Sequence, residues 1–390
     1  MARRRPFEEA YPIKDTYTRF DARNTSFSQN RKKRGSDTLG YNDEEGMTER
    51  MRKGVPGYSL VDYAFKDAAE TYTGHGMNTG FYSWHPLGVT KKPEAIPRWE
   101  VSPDEASKVV TKAARFYGAC GVGFCETDRR WFYSHVRDGR PIVFEDVESA
   151  YVDDEKVVIP ESHKYTIALL VPMEFIENSH APTPLEVTSN MGYSRMHVLA
   201  GTVAEFIRGL GWNAIPCGND TALSVPIAIQ AGLGHVGRNG RLINWERGPL
   251  VRICKVFTDM PLEPSPPASG GILEYCEVCK KCAHNCPCQS IPEGSRTWES
   301  PRESNNNDVY KWYCDEDACL DYWYKVGTGC SICFRVCSFT KKKALPHDIV
   351  KWFIRNVPQL NRFWVWTDDL FGYGKMSDPR AYWDTPYEPS

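Results

Sequence analysis

Cys276, Cys279, Cys282 and Cys286, followed at once by Pro287, form C-x2-C-x2-C-x3-C-P, and a shortened form recurs as Cys330-x2-Cys333-x3-Cys337. Three thiolates on one tight loop can each reach one iron of a cubane, whereas the fourth cysteine follows on a helix and points elsewhere. Where two such clusters share a chain, that fourth cysteine ligates the other one. Two runs therefore predict two crossed 4Fe–4S clusters. Cys276, Cys279, Cys282 and Cys337 would hold the first. Cys286, Cys330 and Cys333 would hold the second and lack one ligand, for which Cys319 is the candidate and Cys314 the runner-up. A zinc ribbon or a disulfide framework is the plainer reading. Zinc, however, usually shows two separated C-x2-C knuckles rather than four cysteines in one run.

These cysteines need a scaffold. Residues 1 to about 100 are rich in Gly, Pro, Asn and aromatics without sustained period, and read as an irregular wrapping segment. Its GYSLVDYAF and TGFYSWHPLG stretches are apolar enough to dock on the body. Regular structure begins at Ser102, which with Glu105 makes a capping box ahead of Pro103. Ala106, Val109, Val110, Ala113, Ala114 and Tyr117 then recur with helical spacing. ACGVGFC and KYTIALLVP (164–172) read as buried strands, and a second helix spans about Tyr193 to Arg208. A short strand at WNAIPC, an apolar helix near VPIAIQAGLG and a β-hairpin RLINWERGPLVRICKVF follow. This alternation predicts an α/β layer domain over residues 101–270. MPLEPSPPASGG (260–271) is a linker into a small ferredoxin-like insert at 271–345, and an aromatic segment at 346–390 packs back on the body.

Composition narrows the function. A chain of 390 residues, 41% hydrophobic and 13% aromatic with 12 Trp, suits a large core or a large flat ligand. A formal charge of −2 gives no case for nucleic-acid binding. No stretch approaches the roughly 18 apolar residues of a membrane span. Arg3-Arg4-Arg5 and Arg31-Lys32-Lys33-Arg34 read as solvated tails. Arg4-Arg5-Pro6-Phe7 mimics the start of a twin-arginine export signal without the apolar run that should follow, so it is chance or the chain is a mature form without its leader. Cysteine usage leaves the compartment open, since at least eight of the 14 thiols are committed to metal.

GYSRMHVLAGTVAEFIRGLGWNAIPCGND, SVPIAIQAGLGHVGRNGRLIN, GPLVRICKVFTDMPLEP and the cysteine runs, in this order over roughly residues 100–345, resemble corrinoid-dependent reductive dehalogenases. CLDYWYKVGTGCSICFRVC resembles that family's second cluster segment, which supports Cys319 as the eighth ligand. Ser338 departs from the family pattern, in which proline commonly follows the last cysteine. The resemblance implies a nitroreductase-like corrinoid-binding α/β core with the ferredoxin-like domain inserted and wrapping terminal segments. It also implies a base-off, cobalamin-type corrinoid fed by two 4Fe–4S clusters, a small organohalide substrate and an upstream electron donor. A small membrane-anchor protein and export to the outer face of the cytoplasmic membrane complete the expectation, and a homodimer is compatible with it. The related epoxyqueuosine reductase shares the glycine segment and both cysteine runs. It should use an aspartate as acid and read tRNA through a basic surface, whereas this chain has Tyr193 and a near-neutral charge. A third reading, from another class, is an electron-transfer subunit without chemistry of its own; a corrinoid in the purified protein would eliminate it.

The resemblance also implies roles at the reaction centre: Tyr193 as proton donor, Asn219 on the halogen-facing side and Arg252 against the tyrosine. Replacing halogen by hydrogen takes two electrons and one proton, and tyrosine is a weak acid with a reference pKa of about 10. A neighbouring guanidinium favours the anion left after transfer. On the residues alone, Tyr193 could simply pack, Asn219-Asp220 could be a turn, and Arg252 could be an ordinary strand ion pair. No D-x-H-x-x-G supplies a cobalt-ligating histidine; the nearest match, Ser83-x-His85-x-x-Gly88, lacks the orienting aspartate, so His85 reads as structural. Gly232, Gly234 and Gly237 in AGLGHVGRNG allow close backbone approach and are given to the corrinoid tail. The spacing is wrong for a dinucleotide. Aromatics in GFYSWHP and the C-terminal segment could wall an apolar pocket for a chlorinated alkane or alkene. Cys120, Cys125, Cys217, Cys254, Cys288 and Cys314 default to buried packing.

Overall fold

A computed structural model describes residues 6–34, 44–63, 77–88 and 97–386. Arg3, Arg4 and Arg5 and the end of GYSLVDYAF lie outside these residues. At the centre are four strands in the order Gly121–Glu126, Tyr165–Pro172, Val251–Thr258, Ala214–Cys217. Every neighbouring pair is antiparallel. The alternation of helix and strand in sequence therefore does not produce a parallel sheet: long connections return each strand in the opposite sense. Side chains alternate across the sheet. Ile167, Leu169 and Val171 join a core with helices Pro103–Phe116 and Thr188–Gly209. Ala168 and Leu170 face a second core holding Trp131, Phe132 and helix Ser224–Gln230. Both faces are covered, which is why these strands read as continuous apolar runs.

Local sequence sets the two long helices. Ser102 caps the first by accepting the Glu105 N–H, Pro103 occupies its first turn, and Ala106, Val110 and Ala114 are buried. The second helix runs 22 residues and buries Met196, Leu199, Val203 and Ile207 along one stripe. Each such side chain contributes about 1.5–3 kcal/mol.

Three expectations are corrected. RLINWERGPLVRICKVF is not a hairpin. Leu242–Ile243 pairs with His235–Val236, while Val251–Thr258 pairs with Tyr165–Pro172 and Ala214–Cys217 as an inner strand of the main sheet. Within the segment, the β-bridge between Asn244 and Gly248 closes a tight turn and pairs no strands. The 260–271 stretch is no loose linker: Met260 and Leu262 are buried, the Glu263 N–H donates to Ser107 Oγ, and Ser265 exchanges two hydrogen bonds with the Phe124 backbone. Pro and Ser there prevent a helix without preventing docking. Arg31–Arg34 close helix Ser26–Arg34 rather than a free tail, and Asn30 of that helix accepts from Tyr324 Oη at 2.7 Å. A small sheet of Ile142–Glu145, Val157–Pro160 and Tyr151–Val152 was not foreseen. Among the described residues no helix is long and apolar enough to cross a membrane.

Helices Leu345–Asn356 and Asn361–Leu370 pack on helix Ile272–Cys279. Beyond them, Ser377 and Tyr382 bond back to Ser179 and Glu177 beside the central sheet.

Candidate active site and metal centres

Both cysteine loops are built the same way. Lys280, between Cys279 and Cys282, and Ser331, between Cys330 and Cys333, take left-handed backbone conformations. Each is followed by one four-residue turn of helix, Lys281–His284 and Ile332–Arg335, and the two turns pack together. Left-handed backbone at a residue with a Cβ is uncommon; here it makes the turn between Cys279 and Cys282 and the turn between Cys330 and Cys333.

Cys276, Cys279, Cys282 and Cys337 line one cavity with Tyr275, Ser338, Phe339 and the Gly237–Asn239 turn. The first run thus meets the last cysteine of the second, the crossed grouping the spacing predicts. The other four also converge. Burial pushes the Cys319 thiol up to about 12, with Glu316 and the sulfurs of Cys333 and Cys286 adding to it. Burial likewise takes Cys330 and Cys333 to about 12, with Cys286 among the neighbours of both. Arg241 clasps Glu316 through two 2.9 Å bonds, seating the helix Glu316–Val326 that carries Cys319. Cys314 Sγ lies 3.6 Å from the Arg238 carbonyl, in a small cluster that also packs against Cys286 and Cys333, so it stands beside the second set as well. None of the 14 cysteines is in a disulfide. Among the described residues no three His, Cys, Asp or Glu converge closely enough for a single metal ion. Thiols grouped in fours, Cys276 buried and the others half-buried, suit a cluster several ångströms across, whose binding replaces their protons.

Near these sets, Cys288 does more than the packing assigned to it, and Arg238 is a residue the sequence does not single out. Cys288 Sγ lies 3.6 Å from Cys286 Sγ and, as hydrogen-bond partner, holds that thiol below its ordinary range. Arg238, 1% exposed, donates to the carbonyls of Cys276, Glu277, Pro292 and Gly294 and clamps the first loop. A cation beside glycines in GRNG is the only trace it leaves in the sequence.

Tyr193, Asn219 and Arg252 are brought together. Asn219 Nδ2 donates to Tyr193 Oη at 3.1 Å, and the Arg252 guanidinium sits 4.5 Å from the Tyr193 ring centroid. Gly192 makes room for it, since a Cβ there would come within 2.8 Å of Arg252 Cγ. The loop carrying Asn219 is fixed from several sides. Tyr133 Oη donates to the Asn219 carbonyl, Asp220 Oδ1 accepts the Gly218 N–H, and buried Lys255 donates to the Gly218 carbonyl and Ser224 Oγ. Tyr82, from the GFYSWHP stretch, packs so closely that a Cβ on Gly218 would meet its hydroxyl at 2.6 Å. Asn219 itself is exposed and Tyr193 half-buried, so the pair opens onto accessible space. Arg252 Nε, Asp220 Oδ2 and Thr221 Oγ1 are buried with no hydrogen-bond partner among the described residues. These orphaned atoms fit a site completed by a polar ligand.

Glu186 joins the tyrosine to the second cysteine set. It is 4% exposed, accepts from Ser189 Oγ at 3.0 Å, and burial raises its carboxyl to about 7 against the pull of Arg252. Ser189 Oγ lies 3.4 Å from Ser331 Oγ. Tyr193 follows Ser189 by four residues on the same helix, about 6 Å along its axis.

The glycines given to the corrinoid tail are closely approached by the protein on their Cβ side. A Cβ on Gly232 would meet the Pro266 carbonyl at 2.2 Å, one on Gly234 the Ile243 carbonyl at 2.3 Å, and one on Gly237 the Ile243 side chain at 2.7 Å. His85 is exposed, its backbone held by Ser83 Oγ.

No protein-family model matches the chain. It is 36% identical to the tetrachloroethene reductive dehalogenase of Sulfurospirillum multivorans over 317 residues, 77% of this chain and 62% of that protein. The chain thus spans about 62% of the length of that curated relative. The fold is similar to the catabolic reductive dehalogenase NpRdhA bound to 3-bromo-4-hydroxybenzoic acid, with TM-score 0.68, 20% identity and coverage of 96% of this chain and 49% of that one. A reductive dehalogenase structure described as suggesting a mechanism for B12-dependent dehalogenation matches with TM-score 0.68, 19% identity and the same coverages. By sequence the chain belongs to the reductive dehalogenase family, over about three-fifths of the length of its curated relative.

Proposed function

We propose that the chain catalyses reductive dehalogenation of a small organohalide, a chlorinated alkene or alkane, replacing halogen by hydrogen. The observation that carries the reading is the Tyr193–Asn219–Arg252 group, one helical turn from Ser189, which abuts Ser331 in the second cysteine loop. The overall change is R–X plus two electrons plus one proton giving R–H and halide. A corrinoid, when bound, would supply the low-potential reducing chemistry for cleaving the carbon–halogen bond. Tyr193 donates the proton to carbon. Asn219 holds the hydroxyl by donating to its oxygen, which keeps the O–H free to point at substrate. The positive charge of Arg252, above the ring, favours the tyrosinate left behind. Tyr82 and its neighbours wall the apolar side. Cys276, Cys279, Cys282 and Cys337 hold one 4Fe–4S cluster, and Cys286, Cys319, Cys330 and Cys333 hold the other, nearer Tyr193. In this reading the four-stranded sheet is the nitroreductase-like, corrinoid-binding core, and 271–345 is its ferredoxin-like insert. The protein works at the outer face of the cytoplasmic membrane beside a small anchor protein, and takes electrons from an upstream donor.

The test is anaerobic reconstitution with a corrinoid, iron and sulfide, then metal counting and halide release from tetrachloroethene with a reduced viologen. About eight iron and one cobalt per chain with chloride release are expected. Iron without corrinoid uptake or chloride would return the chain to the electron-transfer class.

A further inference from the structure

The first cysteine run ends in Cys286-Pro287, the second in Cys337-Ser338. A proline offers neither hydroxyl nor N–H, whereas Ser338 lines the cavity of the first cysteine set. Its Oγ lies 3.5 Å from Cys279 Sγ and 3.3 Å from Asp368 Oδ2. One hydroxyl proton cannot serve both. Asp368 is already supplied: Lys281 donates to Oδ2 and Lys341 pairs with Oδ1 at 2.8 Å, all three side chains being only 7–8% exposed. Once Cys279 carries metal its sulfur has no proton and can only accept. Tyr275, the third partner of Ser338, brings a proton of its own and can donate to Ser338 Oγ, which leaves the serine proton for the sulfur.

We propose that Ser338 is a positioning residue that donates a hydrogen bond to the ligand sulfur of Cys279 and raises the reduction potential of the first cluster, with the Lys281–Asp368–Lys341 network holding the hydroxyl in place. Reduction adds negative charge to the cluster, and a donor aimed at a ligand sulfur favours that state; such bonds are among the terms that set cluster potentials. The inference rests on the reading that these cysteines hold a 4Fe–4S cluster.

The test is a redox titration of reconstituted wild type, Ser338→Ala, Ser338→Pro and Ser338→Thr, followed by electron paramagnetic resonance, with iron counted for each. In the Ala and Pro variants the reduced-to-oxidised ratio of one cluster at fixed potential should fall by about tenfold, or about 59 mV for a one-electron couple. The other cluster's midpoint and the iron content should stay as in wild type, and Thr should restore the first midpoint. General loosening of the loop would move both signals or lose iron. An unchanged midpoint in Ser338→Ala with full iron content would overturn the inference alone. A wild type that assembles no cluster would overturn the cluster reading and this inference with it.

Discussion

The two cysteine loops share a backbone and differ in what surrounds them. Each passes through a left-handed residue, Lys280 or Ser331, into one turn of helix. Around the first stand Arg238, the Lys281–Asp368–Lys341 network and the C-terminal helix pair. Beside the second stand Ser189 and Glu186, at the start of the helix that carries Tyr193. The first loop is thus held by charges and helices, while the second abuts the helix of Tyr193. Local spacing makes the loops alike and only tertiary neighbours tell them apart; under the proposed function the first would be the outer relay and the second the inner one.

The strongest way to break that distinction is to remove a ligand from one side. Cys319→Ser should abolish the second cluster and with it turnover, leaving about half the iron, whereas Cys314→Ser should leave both clusters. Iron content and low-temperature spectra decide it. A loss confined to Cys314→Ser would move the eighth ligand to that residue.

Tyr193→Phe tests the inner side without touching either cysteine set. The ring, its packing and the Arg252 contact survive, and only the hydroxyl that Asn219 holds is removed. A positioned general acid typically contributes about 10²–10⁴-fold, so halide release should fall by that order with both clusters intact. Near wild-type release would take tyrosine out of the mechanism.

What could be read beforehand follows the same division. The cysteine runs, the Ser102 cap and the apolar stripe of Thr188–Gly209 depend on residues a few positions apart, and local spacing expresses them. Tyr193, Asn219 and Arg252 were nameable only through the resemblance, since nothing local brings 193, 219 and 252 together. The pairing of Val251–Thr258 was misread because both its partners are distant, and strand propensity does not say with what a strand pairs. The glycines of AGLGHVGRNG correctly signalled close approach, but the approaching group is the chain's own backbone at Pro266 and Ile243. Arg238, Lys255 and Glu186 are buried charges whose partners are carbonyls or remote side chains, so sequence shows them only as ordinary polar residues.

Arg238→Met sharpens the outer side. It preserves bulk over Trp312 but takes their donor from the Cys276, Glu277 and Pro292 carbonyls, while the Gly294 carbonyl keeps Trp312 Nε1. A buried acceptor left unpaired costs about 1–3 kcal/mol. With partial relaxation, denaturant unfolding should show a loss of about 3–4 kcal/mol. On mild chelation the first cluster should bleach before the second. Equal loss of both would mean the clamp serves the whole segment.

Glu186 probes the seam between the inner loop and the tyrosine. Its carboxyl is raised by burial from 4.5 to about 7, so between those values the folded protein holds a proton that the unfolded chain releases. Stability contributed by this group is therefore fully present below about pH 4.5 and declines as pH rises to about 7. The total is about 3 kcal/mol at 1.36 kcal/mol per unit. Glu186→Gln, isosteric and uncharged, should remove that decline: denaturant midpoints of the metal-free variant should vary less over this interval than those of wild type. At pH 8 the Gln protein should be the more stable of the two, because it no longer buries an ionised carboxylate. If the two proteins track each other across the interval, then Arg252 and Ser189 compensate the buried charge fully, and the inner loop meets the tyrosine helix through a settled ion pair.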